Sequence, residues 1–195
     1  MAALVADLVS GERRDERVLD PEAERRLVEA AKRDPQALSQ LYRLHYAAIS
    51  QHILRRVGRN SVAEDLVADV FLAMVSYLPR YRTGATPFRA WLFRMATNRV
   101  NRWARWQRRR ACRELHDVPG PARTQDRRQD ADYVRSALLA LPLPYQSVLS
   151  LHYLEEMSIH DIAQVLGCPE GTVKSRLCRG RDLLRTILTE SEGGP

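Results

Sequence analysis

SIHDIAQVLGCPEGTVKSRLCRGR, residues 158–181, reads as two short helices joined by a tight turn. Ser158 followed by Asp161 is a capping-box-like start. The hydroxyl meets an orphan backbone N–H, and the carboxylate favours the positive end of the helix. Ile159, Ile162, Ala163 and Leu166 recur at helical spacing and give one apolar face. Gly167 supplies the left-handed residue that ends a helix at little cost, with Pro169 just beyond it. A second helix opens near Glu170 and turns Val173, Leu177 and Leu184 inward. Ala163, Gly167 and Val173 thereby occupy the three tight places of a helix-turn-helix: helix contact, turn and second-helix core. Its outward face carries Thr172, Lys174, Ser175, Arg176, Arg179 and Arg181, donors suited to phosphates and guanine edges in a major groove. A solvated basic helix on an ordinary bundle would show the same face. Cap, turn, core and basic face agreeing in one register favours DNA binding.

Working outward, charge is the next informative property. The 195 residues carry 31 Lys and Arg against 24 Asp and Glu. Arg99, Arg102, Arg105, Arg108, Arg109, Arg110 and Arg113 fall in one stretch without a carboxylate, and their number equals the whole net charge of +7. So localised a basic stripe is the footprint of a polyanionic partner, although a solubilising helix end has the same composition. Trp91, Phe93, Trp103 and Trp106 interleave with these arginines, a pattern that suits single-stranded nucleic acid, with bases stacking on rings. Trp91 is assigned to the core, Trp103 and Trp106 to the surface.

Hydropathy offers no run long enough to cross a membrane, so no direct membrane insertion is expected. The N-terminus has acids early and too short an apolar core for a signal peptide. Cys112, Cys168 and Cys178 are an odd number without CxxC spacing, which reads as reduced thiols in a cytoplasm rather than a zinc site. No cofactor is expected.

Every segment reads as helix or connection, so the expected fold is all-α, with two small helical domains and a flexible linker. Residues 1–20 are expected to be a disordered extension, 21–110 the first domain, 111–130 the linker, 131–188 the second domain and 189–195 a tail. Pro21 opens a first helix, and Asp34-Pro35 caps a second that ends at Gly58. On that second helix His45 and His52 share the apolar stripe and read as packed residues, since nothing completes a ligand set. Ser61 to Glu64 forms a capping box for a third helix whose buried stripe is Leu66, Val70, Phe71, Met74 and Leu78. Glu64, Asp65 and Asp69 lie on its other side, a solvated or protein-docking face in preference to a metal site. Residues 79–87 are turn-rich, a long helix runs from Phe88 to about Arg110, and the linker holds Pro-Gly-Pro. Helices over about 131–141 and 145–154 then lead into the helix-turn-helix.

This order of parts resembles a bacterial sigma factor of the extracytoplasmic-function (ECF) group. The matching motifs are DPQALSQLY, AEDLVADVFLAMV and PFRAWLFRMATN in the N-terminal half, and LPLPYQSVLSLHYLEEMSIHDIAQVLGCPEGTVKSRLCRGR in the C-terminal half. GTVKSRL alone is common among helix-turn-helix proteins; AWLFRMATN some eighty residues upstream makes the combination specific. The resemblance implies a region 2-like and a region 4-like domain that bind core RNA polymerase and read promoter DNA. It implies that Glu64, Asp65, Asp69 and Phe71 serve polymerase docking. It implies that Asn98, Arg99, Arg102 and Trp103 act on the minus-ten element, with Asn98 at the pocket for a flipped base. Thr172, Lys174, Ser175, Arg176, Cys178 and Arg179 fall on the helix that reads the minus-thirty-five element. An anti-sigma factor and a cytoplasmic location follow from the same resemblance. Ala68, Arg102 and Cys178 depart from residues common in the group. A helix-turn-helix regulator that does not act as a sigma subunit is the alternative, and it leaves the Arg/Trp helix and the acidic face idle. An enzyme acting on DNA would need a nucleophile with its base or clustered metal-binding carboxylates, and neither set is present in the sequence.

Overall fold

The structure, a computed structural model, describes residues 20–58, 60–84, 86–113 and 128–192, and among them there is helix and turn but no strand. Helix α1 (Pro21–Ala31) and helix α2 (Pro35–Val57) form an antiparallel pair. Asp34 caps α2 by accepting from the backbone N–H of Gln36 at 2.9 Å and Ala37 at 3.2 Å. Asp34→Ala is expected to cost about 1 kcal/mol, read as a lowered midpoint in thermal unfolding. Gly58, with φ of 76°, ends α2, and helix α3 (Asn60–Tyr77) begins almost at once. Ser61 therefore lies inside the first turn of α3 instead of capping it, because the chain re-enters helix one residue before the Ser61–Glu64 pattern. A short 3-10 turn (Leu78–Arg80) leads to helix α4 (Phe88–Arg113).

Helix α5 (Arg128–Ala140) precedes helix α6 (Leu143–Leu149), which widens into a π turn over Ser150–Leu154. Helix α7 (Ile159–Leu166) and helix α8 (Glu170–Glu192) follow. Both ends of the expected linker are thus helical, since α4 reaches Arg113 and α5 starts at Arg128; residues 114–127 lie outside the described residues. The expected extension over 1–19 and the tail over 193–195 also lie outside them, while α8 carries helix through Glu192.

The two halves share one apolar core. Val28, Leu41, Ile49, Ile53, Val70, Met74, Leu92, Phe93, Ala96 and Val100 belong to the same buried cluster as Leu149, Leu151, Ile162, Val165, Val173 and Leu177. Helix α4 packs on α7 directly. A satellite cluster of Val134, Ala137 and Leu188 fixes α5 on the far end of α8. Gly180 lets α8 approach α6 closely: a Cβ there would stand 3.2 Å from Leu149 Cδ1 and 3.3 Å from Tyr145 Cβ.

Candidate nucleic-acid interface

The turn between α7 and α8 is built as its residues dictate. Ser158 Oγ accepts from the Asp161 N–H at 3.1 Å and donates to Asp161 Oδ2 at 2.6 Å, closing the cap of α7. Gly167 adopts φ of 64°, where a side chain is disfavoured. Ile162, Val165 and Val173 are buried beneath the turn. This packing fixes the direction in which α8 presents its outer residues. Lys174, Ser175, Cys178 and Arg179 are exposed, while Thr172 and Arg176 are half-buried. The Arg176 guanidinium lies 3.9 Å from Cys168 Sγ, so its reach is anchored at the turn. Thr172, Ser175, Arg176 and Arg179 join Pro144 and Tyr145 around a cleft of about 340 Å³. Four of the six residues assigned to duplex reading thus line one cleft, while Lys174 and Cys178 are exposed on the same helix without lining it.

The second basic surface lies on α4. Leu92, Phe93, Ala96 and Val100 hold the helix to the core, which leaves Asn98 and Arg102 exposed and Arg99 and Trp103 half-buried. Trp103 packs against the core edge, whereas Trp106 is 50% exposed with the Arg110 guanidinium 5.5 Å from its ring centroid. A cleft of about 570 Å³ opens near the start of α4, between Glu29, Lys32 and the Pro79–Thr83 segment, and Asn98 does not line it.

On α3, Glu64, Asp65 and Asp69 are exposed, and Leu72 (67% exposed) and Val75 continue that outer face. Phe71 is buried: its ring sits 4.6 Å from that of Tyr42 and 6.0 Å from that of Tyr46. The expectation that Phe71 meets a partner directly gives way to a supporting place. Leu72, Val75, Tyr42 and Tyr46 are the apolar groups offered to solvent around it. The burial of Phe71 agrees with the buried stripe read from the spacing of α3, in which Val70, Phe71, Met74 and Leu78 face inward. Among the described residues no cluster of three or more His, Cys, Asp or Glu has the placement of a metal site.

Between the halves runs a polar seam that sequence periodicity did not reveal. Buried His52 places Nδ1 3.3 Å from Glu155 Oε1 and Nε2 3.2 Å from Thr97 Oγ1. Arg55 reaches Glu155 Oε1 at 3.5 Å and donates to the Leu154 carbonyl at 3.2 Å. Buried Arg56 donates through one terminal nitrogen to Asn101, Gln146 and Ser147, at 2.7, 3.2 and 3.2 Å. Its Nε and other terminal nitrogen are buried without a hydrogen-bond partner, and burial pushes its pKa down to about 10. Arg135 donates to the carbonyls of Leu54 and Arg55, Arg108 to that of Leu141, and Arg89 to that of Glu155.

Burial also lowers the His52 pKa below its ordinary 6.5, against the opposing pull of Glu155. The unfolded chain then binds a proton near pH 6.5 that the native state refuses, so stability is present above that pH and lost as pH falls toward the lowered native value. His52→Asn is expected to flatten the acid-side decline of the unfolding midpoint, measured from about pH 8 to about pH 5.

A helix-turn-helix with an outward basic face, joined in one chain to an Arg/Trp helix and an acidic helix face, is an arrangement suited to a protein that meets DNA at two places. Residues 41–110 match the family described as sigma-70 region 2, and residues 131–184 that described as sigma-70, region 4. The ECF RNA polymerase sigma factor SigL of Mycobacterium tuberculosis is 30% identical, over 83% of this chain and 94% of the relative. RNA polymerase sigma factor YlaC of Bacillus subtilis is 29% identical over 80% of this chain and 94% of its own length. The structure of CnrH in complex with the cytosolic domain of CnrY shares the fold with a TM-score of 0.69 at 27% identity, covering 88% of this chain and 99% of that one. The sigma factor RpoE, solved with the anti-sigma factor NepR from Bartonella quintana, has a TM-score of 0.64 at 24% identity, covering 78% and 96%, and shows the same fold. The chain belongs to the ECF group of bacterial sigma factors. It is a non-enzymatic factor of transcription initiation. No helix among the described residues is long and apolar enough to cross a membrane.

Proposed function

We propose that this chain binds core RNA polymerase in the cytoplasm through α3 and directs it to promoters by two separate readings of DNA. Lys174, Ser175, Arg176, Cys178 and Arg179, with Thr172, contact the minus-thirty-five element as duplex. Asn98, Arg99, Arg102 and Trp103 contact the minus-ten element as it opens. Glu64, Asp65 and Asp69, with Phe71 supporting the surface from beneath, meet the polymerase. Residues 21–110 act as the first module and 131–188 as the second. The observation that carries this reading is the exposure of two basic helical faces, one in each half, on elements whose opposite sides are locked into the core.

Each face alone binds DNA weakly and with strong salt dependence. Tethered on one polymerase, the two contacts reinforce each other as intramolecular events. Unstacking a base costs a few kcal/mol, which stacking on aromatic side chains offsets, so no covalent chemistry is required of this chain. Regulation by an anti-sigma protein is part of the proposal, supported by CnrH having been solved with the cytosolic domain of another protein. Run-off transcription on a genomic library tests the whole reading: core polymerase should start at a defined set of promoters only when the chain is added. Sequence-specific DNA binding without any association with core polymerase would overturn it.

A further inference from the structure

We propose that Tyr145 on α6 is a further DNA contact, which with Thr172 and Arg179 seats one phosphodiester of the backbone at the minus-thirty-five element. This deepens the reading of α8 as the helix that meets the duplex, and rests on it. Helix α6 packs along α8, and Gly180 brings the two close: the Tyr145 Cβ stands 3.3 Å from where a Cβ on Gly180 would be. The Tyr145 N–H donates to the Pro142 carbonyl at 3.0 Å, and the side chain packs against the shared core. Tyr145 is thereby fixed at its root and half-buried, and it lines the cleft of about 340 Å³ together with Thr172, Ser175, Arg176 and Arg179.

Position decides the class of ligand. An α-helix with its side chains is about 10–12 Å across, and the major groove is about 12 Å wide. Once α8 lies in that groove it fills the width. A residue standing beside α8 then meets the sugar–phosphate wall and not the base edges. The chemistry of the cleft agrees, since no Asp or Glu is among its lining residues. Arg179 brings a full positive charge, and Thr172 and Tyr145 each bring a neutral hydroxyl, a set that suits an anion with several acceptor oxygens. Ser175 Oγ donates to the Thr172 carbonyl at 3.0 Å, so its proton is spent within the helix. A contact of this kind carries no sequence information, but it fixes the register at which α8 sits on the duplex.

The test uses core polymerase carrying this chain, on a promoter found by run-off transcription. Each backbone phosphate of the minus-thirty-five element is replaced in turn by an uncharged methylphosphonate, and the affinity of the closed complex is measured. One replacement should weaken the wild-type complex roughly tenfold. Tyr145→Phe keeps the ring and removes the hydroxyl. It should weaken binding to the natural backbone to a similar extent and lose little more at that one position, because the two changes remove the same contact. At all other positions the two losses should add. Lys174→Ala, which removes a residue outside the cleft, should remain additive throughout. Arg179→Ala should lower the slope of log affinity against log salt by about 1, whereas Tyr145→Phe removes no charge and should leave the slope unchanged. Wild-type affinity in Tyr145→Phe, or losses that add at every position, would overturn the seat. Should no promoter be found, the sigma-factor reading fails, and the same scan on the duplex that the free chain selects from random sequence decides the seat by the same coupling. A chain that selects no duplex overturns both.

Discussion

Val173→Asp is expected to abolish promoter-directed transcription while the chain still associates with core polymerase. Val173 has no exposure and sits where α7, α8 and the shared core meet. An unpaired carboxylate at such a place costs several kcal/mol, either as charge burial or as protonation. That is a large part of the 5–15 kcal/mol by which a domain of this size is stable. The helix-turn-helix gives way before α1–α4, whose core is formed largely among Leu41, Ile53, Val70, Met74 and Phe93. Thermal unfolding should show an early transition, and circular dichroism should show partial loss of helix at room temperature. The neighbouring Lys174→Asp provides the contrast, because Lys174 is exposed. It should keep the wild-type midpoint and lose duplex affinity by charge repulsion alone. A Val173→Asp protein with wild-type stability would show that the turn is not packed as described.

The contrast between α7–α8 and the seam explains how much could be read in advance. Ser158, Gly167 and Val173 act within a few residues of their partners, so cap, turn and core are written in local spacing. Asp34 was legible for the same reason. His52 and Glu155 are 103 residues apart, and Arg56 and Ser147 are 91 apart. Arg56 stands three residues after Ile53 and seven after Ile49, so the stripe of α2 carries it inward while Arg55 is half-exposed, but its partners across the seam are not written in that spacing. His52 was readable as a packed residue because it falls on the stripe of Ile49 and Ile53, but its partner was not. The burial of Phe71 was legible in the stripe of α3, whereas the rings of Tyr42 and Tyr46 that cover it arrive from α2 and were not. Helix α4 runs three residues past the expected end near Arg110, since arginine is among the good helix formers and no stop signal falls before Arg113.

Arg176→Ala and Asn98→Ala should separate the two DNA readings by the step at which each fails. Arg176 lies 3.9 Å from Cys168 Sγ at the turn and lines the cleft with Thr172, Ser175 and Arg179, and it is proposed to meet the duplex before melting. If its contact is a bidentate one to a guanine edge, its loss costs about 1–3 kcal/mol and relaxes preference at one base pair. Asn98 is exposed on α4, on the other half of the molecule, and is proposed to act on the opened strand. Asn98→Ala should leave duplex binding by α8 unchanged and slow open-complex formation, which permanganate footprinting of unpaired thymines would report. A template with a preformed bubble at the minus-ten element supplies the melted state in advance. It should restore transcription in part to Asn98→Ala and not to Arg176→Ala, whose defect lies upstream of melting. Base reading by Asn98 limits the rescue to a part, which makes the failure of rescue for Arg176→Ala the sharper half of the comparison. Equal loss of duplex binding in both variants, or full transcription by both, would mean that these helices do not divide the work in this way.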